Sequence, residues 1–257
     1  MITKRIIDEK GIDQTEDTVL VLGYFDGLHK GHQALFEKAR EIATEQGLKI
    51  AVLTFPESPK LAFVRYQPEL MLHLASPEDR IAQLESLGVD YLYLIDFTSH
   101  FAGNTARDFF EKYVSRLRAK AVVAGFDYHF GSDRKESHEL RDYFNGKIVI
   151  VPSVNLDNRK ISSTRIRETI TVGDMLKTQE LLGYPLSTRG IVVHGNARGR
   201  TIGYPTANLA PLDRVLLPGD GVYVADVEHN GQRYRGMASV GKNVTFDGDE
   251  LRFEVNI

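Results

Sequence analysis

The chain has 257 residues, of which 42% are hydrophobic and 26% charged, with a formal net charge of -3 and no cysteine. The missing cysteines exclude disulfides and thiolate metal sites, and the slightly acidic balance argues against a general nucleic-acid binder. The sequence contains neither a signal-peptide pattern nor an apolar run of about 20 residues. We therefore predict a cytoplasmic protein with no nucleic-acid or membrane partner.

Short apolar strands alternate with amphipathic helices from residue 18 to about residue 170. Strands are predicted at 18–25, 49–55, 91–95, 121–124 and 147–151, and helices at 31–46, 77–87 and 105–118. Such alternation indicates a parallel sheet with right-handed crossovers, which binds ligands at the carboxyl ends of its strands.

The pattern changes after about Tyr184, where glycines become dense and the helical period disappears. Two strands at 222–227 and 232–240 flank an Asn230-Gly231 pair, which is typical of a two-residue β-hairpin turn. We therefore predict an α/β domain over residues 1–184 and a smaller all-β, barrel-like domain over residues 185–257.

The segment Gly23–His32 leaves a buried strand, turns on glycines and enters a helix. Backbone N–H groups at such a junction favour phosphate binding. His29 and His32 are three residues apart in a predicted surface loop, so both can donate hydrogen bonds to one phosphate group. A tight turn with solvated histidines is the alternative, but the strand–turn–helix context favours the phosphate site. The candidate nucleotide-contacting residues here are Gly23, Phe25, Asp26 and Gly31.

This segment, GYFDGLHKGH, resembles the signature of the HxGH nucleotidyltransferases. It is most similar to the FMN adenylyltransferase part of bacterial bifunctional riboflavin kinase/FAD synthetases. The resemblance implies a Rossmann-like domain that transfers AMP from ATP to FMN, giving FAD and pyrophosphate with Mg²⁺ bridging the phosphates. His29 and His32 would then act at the α-phosphate.

A second family element matches ISSTRIR at residues 161–167, at a predicted helix start. The resemblance places Ser163, Thr164 and Arg165 near the leaving pyrophosphate, with Arg165 as a catalytic residue. Ser162 and Arg167 would also bind ATP. Without its partner motif, a serine-rich helix cap with surface arginines would be commonplace.

Two further segments resemble the family more loosely. In GFDYHFG at residues 125–131, Asp127 would contact the nucleotide or its metal and Phe130 would border the flavin, although His129 replaces a common arginine or lysine. In TFPESP at residues 54–59, Phe55 would contact the flavin, although Ser58 replaces a common histidine. A glycine turn and a proline-rich strand exit are the structural alternatives.

The glycine-rich part of the chain is similar to the riboflavin kinase signature with its PTAN box at residues 205–208. The resemblance implies that Thr206 and Asn208 bind the magnesium of MgATP and that Glu254 is the general base for the riboflavin hydroxyl. The nucleotide would approach three glycines, Gly195, Gly199 and Gly203. Read without the family, these residues could equally form turns and a solvated edge strand.

The family continues past this last strand, so we expect a kinase domain that is incomplete at its C-terminus and has little riboflavin kinase activity. Two alternative functions stay open. One is a different HxGH nucleotidyltransferase, and the other is a non-catalytic flavin- or nucleotide-binding regulator. The sequence leaves the oligomeric state undetermined.

Overall fold

The computed structural model describes residues 1–194, 205–242 and 251–257. The chain forms two compact units. The first contains Met1–Met71 and Pro77–Ser162, and the second contains Leu72–Ser76 and Ser163–Ile257. The domain boundary between residues 184 and 185 stays a prediction.

The first unit is built on a parallel sheet. Its strands are β1 Ile2–Ile6, β2 Thr18–Leu22, β3 Lys49–Thr54, β4 Tyr91–Ile95, β5 Ala119–Gly125, β6 His129–Phe130, β7 Lys135–Glu136, β8 Lys147–Val151, β9 Asn155–Leu156 and β10 Arg159–Lys160. Six of them form one sheet in the order β1-β4-β3-β2-β5-β8, and every pair in it is parallel. The parallel sheet expected from the sequence is confirmed. The remaining four form two short hairpins, β6 with β7 and β9 with β10.

Helices cover both faces of this sheet. They are α1 Lys30–Gln46, α2 Pro77–Ser86, α3 Ser99–Ala102 and α4 Ala106–Phe109. Short 3-10 helices occupy Glu9–Gly11, Asp26–Leu28, Pro59–Ala62, Pro68–Met71 and Ser137–Asp142. Strand β2 is buried along its whole length, which explains its uninterrupted apolar sequence. Phe36 of α1 packs against one face of the sheet, and Tyr113 packs against the other.

The helix predicted over residues 105–118 is irregular. After α4 the chain forms a π-helix at Phe110–Val114. Three aromatic residues in and next to this π-helix are buried, namely Phe109, Phe110 and Tyr113. The wider turn of a π-helix rotates consecutive side chains differently from an α-helix, so adjacent aromatic residues can both face the core.

The second unit contains two helices and an antiparallel sheet. Its elements are α5 Ser163–Thr171, α6 Met175–Leu182, β11 Gly190–Val193, β12 Ala207–Pro211, β13 Gly221–His229, β14 Gln232–Lys242 and β15 Leu251–Asn256. The five strands pair in the order β11-β12-β15-β14-β13, all antiparallel. Its small core includes Val240, Phe253 and Val255. The fold class expected for the two parts of the chain is confirmed.

The predicted hairpin joins β13 to β14. Asn230 and Gly231 form the turn with φ values of 51° and 75°, the left-handed backbone that a type I′ turn needs at both central positions.

One short segment of the second unit comes from early in the chain. His73 forms a parallel bridge with Val215. Its N–H donates to the carbonyl of Arg214 at 2.6 Å, and its own carbonyl accepts from the N–H of Leu216 at 2.9 Å.

Among the described residues, no helix combines the length and apolar character needed to cross a membrane.

Candidate active site

The strand order of the parallel sheet reverses between β2 and β5. From β2 the chain first adds β3 on one side and later adds β5 on the other. A sheet of this type binds ligands where its strand order reverses. The loop that follows β2 contains His29, and the loop that follows β5 contains Asp127. Two predicted site segments thus leave adjacent strand ends.

The loop after β2 has an unusual backbone. Phe25, Gly27 and Leu28 have φ values of 57°, 72° and 35°. Left-handed backbone at a non-glycine residue costs on the order of 1–3 kcal/mol and persists only where the surroundings hold it. Phe25 is held by burial against Phe36, with ring centroids 5.2 Å apart, and the carbonyl of Leu28 accepts from Gln33 Nε2 at 2.9 Å.

The two histidines form a stacked pair at the start of α1. Their ring centroids are 3.7 Å apart with an interplanar angle of 15°. His29 is the N-cap of the helix, and its Nδ1 accepts from the N–H of His32 at 3.3 Å. Because Nδ1 is an acceptor, the neutral imidazole of His29 carries its proton on Nε2, where it can donate to a ligand.

The pair is less exposed than the sequence predicted. His29 is only 5% exposed, so its placement in a surface loop was wrong. The rings of Phe25 and His32 meet edge to face, with centroids 5.3 Å apart, and Gly31 leaves room for the ring of His29. A Cβ placed on Gly31 would lie 3.1 Å from Nδ1 of His29. A side chain at position 31 would therefore push the His29 ring.

Burial keeps both imidazoles neutral. It lowers the pKa of His29 to about 4, although Asp26 acts in the opposite direction. Burial also lowers the pKa of His32 well below its ordinary value, with further lowering by His29 and Arg80. At neutral pH the pair therefore offers hydrogen bonds without charge. The Nδ1 of His32 is enclosed and has no hydrogen-bond partner among the described residues.

Arg80 of α2 donates hydrogen bonds to residues at the ends of both β2 and β3, and it was not predicted from the sequence. Its Nη1 donates to the carbonyl of Phe55 at 2.8 Å, and its Nη2 donates to Thr54 Oγ1 at 2.6 Å and to the carbonyl of Tyr24. The guanidinium also lies 5.1 Å from the Tyr24 ring centroid. The sequence around Arg80 is that of an ordinary amphipathic helix, so its burial became visible only in the structure.

Lys160 was also missed, because it lies just before the ISSTRIR motif. Its Nζ lies 2.5 Å from Asp127 Oδ2 and 4.5 Å from the ring centroid of Phe126. The predicted nucleotide-contacting carboxylate of Asp127 is therefore paired with a lysine. Gly125 keeps this loop compact, since a Cβ there would lie 3.2 Å from Asp127 Oδ1.

The two predicted flavin-contacting residues lie at different places in one aromatic cluster. Phe55 follows β3 and contacts the rings of Phe97 and Phe101 at 5.3 and 5.5 Å. Phe130 is buried against Tyr143 among other rings. Phe63, which the sequence analysis did not single out, packs its ring on Phe97 yet is 69% exposed. Phe63 thus offers more ring surface to a ligand than Phe130.

The ISSTRIR residues lie at the predicted helix start, because α5 begins at Ser163 directly after Ser162. Arg165 is buried. Arg167 Nη2 donates to the carbonyl of Leu72 at 2.6 Å, which links α5 to the early segment of the second unit. Thr164 follows Ser163 in the first turn.

The predicted kinase residues meet on two neighbouring strands of the second unit. Asn208 of β12 is directly opposite Glu254 of β15, and paired residues of antiparallel strands share a face. Thr206 Oγ1 donates to Glu254 Oε2 at 3.3 Å. These three side chains bring together hydroxyl, amide and carboxylate oxygens, the donor types that Mg²⁺ prefers. The three predicted nucleotide-approach glycines, Gly195, Gly199 and Gly203, lie outside the described residues.

Comparison with known proteins identifies both parts of the chain. The FAD synthetase family model matches residues 11–165, and the riboflavin kinase model matches residues 182–257. A bifunctional riboflavin kinase/FMN adenylyltransferase of Listeria monocytogenes is 41% identical over 93% of this chain and 77% of its own length. The Bacillus subtilis protein of that name is 38% identical over 91% of this chain and 75% of its own length.

A solved structure has a different description. The crystal structure of a macrolide-efflux protein from Streptococcus pneumoniae is 57% identical, with a TM-score of 0.96, and the match covers 100% of this chain and 84% of that one. Efflux is said of that protein only, whereas both family models and the curated relatives name flavin nucleotide synthesis.

The riboflavin kinase match also corrects one expectation from the sequence. We expected a kinase domain truncated at its C-terminus, but the match over residues 182–257 shows that this domain is present. The chain belongs to the bifunctional riboflavin kinase/FMN adenylyltransferase family of FAD biosynthesis, and it carries both an FAD synthetase and a riboflavin kinase domain.

Proposed function

We propose that the region beside His29 and His32 is where this chain transfers the adenylyl group of ATP to FMN. The stacked, neutral histidine pair at the start of α1 is the observation that carries this proposal. A phosphate oxygen of FMN attacks the α-phosphorus of ATP, the bond to the β-phosphate oxygen breaks, and pyrophosphate leaves. The products are FAD and pyrophosphate, and no residue is covalently modified.

The histidines stabilise the charge that builds on the α-phosphate oxygens. The Nε2–H of His29 is a fixed donor, because its Nδ1 is held by the helix backbone. Donors that are already oriented need no rearrangement as the transition state forms, which is the main source of electrostatic catalysis. Phosphoryl chemistry depends chiefly on such positioning and charge stabilisation.

The remaining roles in the first activity follow the family resemblance. Ser162, Ser163, Thr164, Arg165 and Arg167 bind the leaving phosphates, with Arg165 acting on the developing charge. Gly23, Phe25, Asp26 and Gly31 shape the nucleotide site. Phe55 and Phe130 border the flavin.

The second activity is phosphorylation of riboflavin to FMN by ATP. Thr206 and Asn208 would hold Mg²⁺, which neutralises phosphate charge when it is bound. Glu254 accepts the proton of the riboflavin hydroxyl as the oxygen attacks the γ-phosphorus. The bond between this phosphorus and the β,γ-bridging oxygen breaks, and ADP leaves. The proximity of Thr206 and Glu254, 3.3 Å between side-chain oxygens, supports a shared site. A cytoplasmic location and the absence of nucleic-acid partners stay predictions.

One assay tests both activities. Purified protein is incubated with MgATP and either FMN or riboflavin, and the flavins are then separated. We expect FAD and pyrophosphate from FMN, and FMN followed by FAD from riboflavin. If FMN gives no FAD above a control without enzyme, the adenylyl-transfer proposal is wrong. A regulator without turnover would bind the flavins and leave them unchanged.

A further inference from the structure

Arg80 is a buried cation in the first turns of α2. Only 8% of the residue is exposed. Leu84, four residues later, is fully buried in the core that α1 shares with the sheet. Because residues four apart lie on the same face of a helix, the burial of Leu84 turns Arg80 toward the sheet as well. The helix therefore presents the guanidinium to the strand ends rather than to solvent.

The guanidinium joins the chain segments that follow two neighbouring strands, and it does so through different nitrogen atoms. Nη1 donates to the carbonyl of Phe55, the residue after β3, at 2.8 Å. Nη2 donates to the carbonyl of Tyr24, in the loop after β2, and to Oγ1 of Thr54 at 2.6 Å. Thr54 Oγ1 in turn donates to the Tyr24 carbonyl at 2.9 Å. This connected network fixes the two segments relative to each other.

The two segments lead to the two parts of the proposed adenylyl-transfer site. Tyr24 lies at the beginning of the loop that ends at His29 and His32, the pair proposed to contact the α-phosphate of ATP. Phe55 is the residue proposed to border the flavin of FMN. Because Arg80 donates to main-chain carbonyls and to one hydroxyl, its hydrogen bonds are made to the protein rather than to a substrate.

Adenylyl transfer depends on the spacing between these two segments. The phosphate oxygen of FMN must lie close to the α-phosphorus of ATP and in line with the bond that breaks. A misplacement of about 1 Å can cost on the order of a hundredfold in rate. Each substrate alone contacts one segment, so the spacing affects the reaction far more than it affects the binding of either substrate.

We propose that Arg80 is a positioning residue that sets the spacing between the ATP and FMN parts of the adenylyl-transfer site. This role rests on the proposed function, which identifies the substrate at each segment. A guanidinium suits the task because it is planar and rigid, and its two outer nitrogens hold two acceptors in fixed relative positions. A lysine has one terminal nitrogen, so it keeps the positive charge but cannot form the same bridge.

Arg80→Lys separates the bridge from the charge, and Arg40→Lys is the matched control. Arg40 of α1 also donates to a main-chain carbonyl, that of Leu87 at 3.0 Å, just past the C-terminal end of α2. Steady-state kinetics of FAD formation, with FMN and MgATP varied in turn, give kcat and both KM values. For Arg80→Lys, kcat should fall roughly tenfold to hundredfold while both KM values stay within about twofold of wild type. Arg40→Lys should match wild type in every constant.

Binding of FAD reports the spacing without turnover, because FAD spans both parts of the site. Calorimetric titration should show roughly tenfold weaker FAD binding in Arg80→Lys and unchanged FMN binding, since only FAD must engage both parts at once. Thermal unfolding of each variant sets the assay temperature well below the lowest midpoint. A loss of stability by itself then reduces neither kcat nor the affinity for FAD.

Wild-type kcat and FAD affinity in Arg80→Lys would overturn the inference, whatever the change in its unfolding midpoint. A loss that appears only as a higher KM for one substrate would also overturn it, because Arg80 would then be a binding residue. If the wild-type chain makes no FAD, while Arg80→Lys weakens FAD binding and leaves FMN binding unchanged, the proposed reaction is wrong and the spacing role stands.

Discussion

At the scale of single residues, His29 has two separable tasks. Its Nδ1 caps α1, and its Nε2–H is the group proposed to contact phosphate. An asparagine at position 29 can still cap the helix, because its side-chain oxygen is among the preferred N-cap acceptors. The shorter asparagine side chain cannot place a hydrogen-bond donor where Nε2 of His29 lies.

We therefore predict that His29→Asn and His29→Ala lose activity alike but differ in stability. Both should slow FAD formation by roughly a hundredfold or more, the usual effect of removing one charge-stabilising donor. The unfolding free energy of His29→Ala should be about 1 kcal/mol lower than that of His29→Asn, because only the alanine variant loses the cap. Flavin chromatography and urea unfolding measure the two effects. A His29→Asn variant with near-normal turnover would remove this histidine from the mechanism.

The low pKa of His29 also predicts how stability depends on pH. Burial lowers it to about 4, from 6.5 for a free imidazole, so between these values protons bind mainly to the unfolded chain. The stability due to neutral His29 is complete above pH 6.5 and is lost as the pH falls from 6.5 toward 4. The loss is on the order of 3 kcal/mol. His32, whose pKa burial also lowers, acts in the same direction.

Urea unfolding at pH 7 and at pH 4.5 tests this dependence. His29→Asn is the control, since asparagine does not titrate and should remove part of the difference between the two pH values. An identical pH dependence in wild type and His29→Asn would show that His29 titrates normally in the folded protein.

At the scale of elements, two glycines of the β13–β14 hairpin have different surroundings, one in the turn and the other in strand β14. Gly231 has a φ of 75°, whereas Gly241 within β14 has no atom within 4 Å of where its Cβ would lie. We predict that Gly231→Ala lowers the unfolding free energy by about 1 kcal/mol, because L residues disfavour left-handed backbone. Gly241→Ala should be neutral or slightly stabilising. Equal effects of the two substitutions on the unfolding midpoint would contradict the assigned turn geometry.

Elements with a strong local signal were predicted well from the sequence. Strand β4 and helix α1 agree with the expected ranges to within one residue, and Gly47 ends α1 in left-handed backbone. Strand β1 was missed. It is an edge strand with charged residues and only one buried position, Ile6, so its sequence lacks an apolar run. Its pairing with β4 is a long-range contact that no local pattern reveals.

The candidate site was predictable only where a motif marked it. The histidines stand out because glycines and a helix start surround them. Arg80 and Lys160 lie in unremarkable sequence, and they reach the site through α2 and the β9–β10 hairpin. The burial of His29 was also unpredictable, because its ring stacks on His32. The ring of His32 in turn packs against Phe25, whose backbone is left-handed.

At the scale of the whole molecule, the two proposed sites should be independently removable. We predict that His29→Asn abolishes most FAD formation and leaves conversion of riboflavin to FMN unchanged. Glu254→Gln should do the reverse, because it removes the proposed base while keeping the shape of the side chain. Both conversions can be measured on one protein preparation by separating riboflavin, FMN and FAD. Loss of both activities in either variant would contradict separate sites.

The His73 bridge has a consequence for synthesis on the ribosome. Residues 72–76 emerge early, yet their hydrogen-bond partners at Arg214 and Leu216 emerge only when most of the chain has been made. The hydrogen bonds of His73 to Arg214 and Leu216 can therefore form only after all the strands of the parallel sheet have been synthesised. A gene cut between residues 184 and 185 would separate His73 from these partners permanently. Residues 185–257 expressed alone would therefore lack the two backbone hydrogen bonds to His73, unless residues 72–76 were supplied as a separate peptide or through a rearranged chain order.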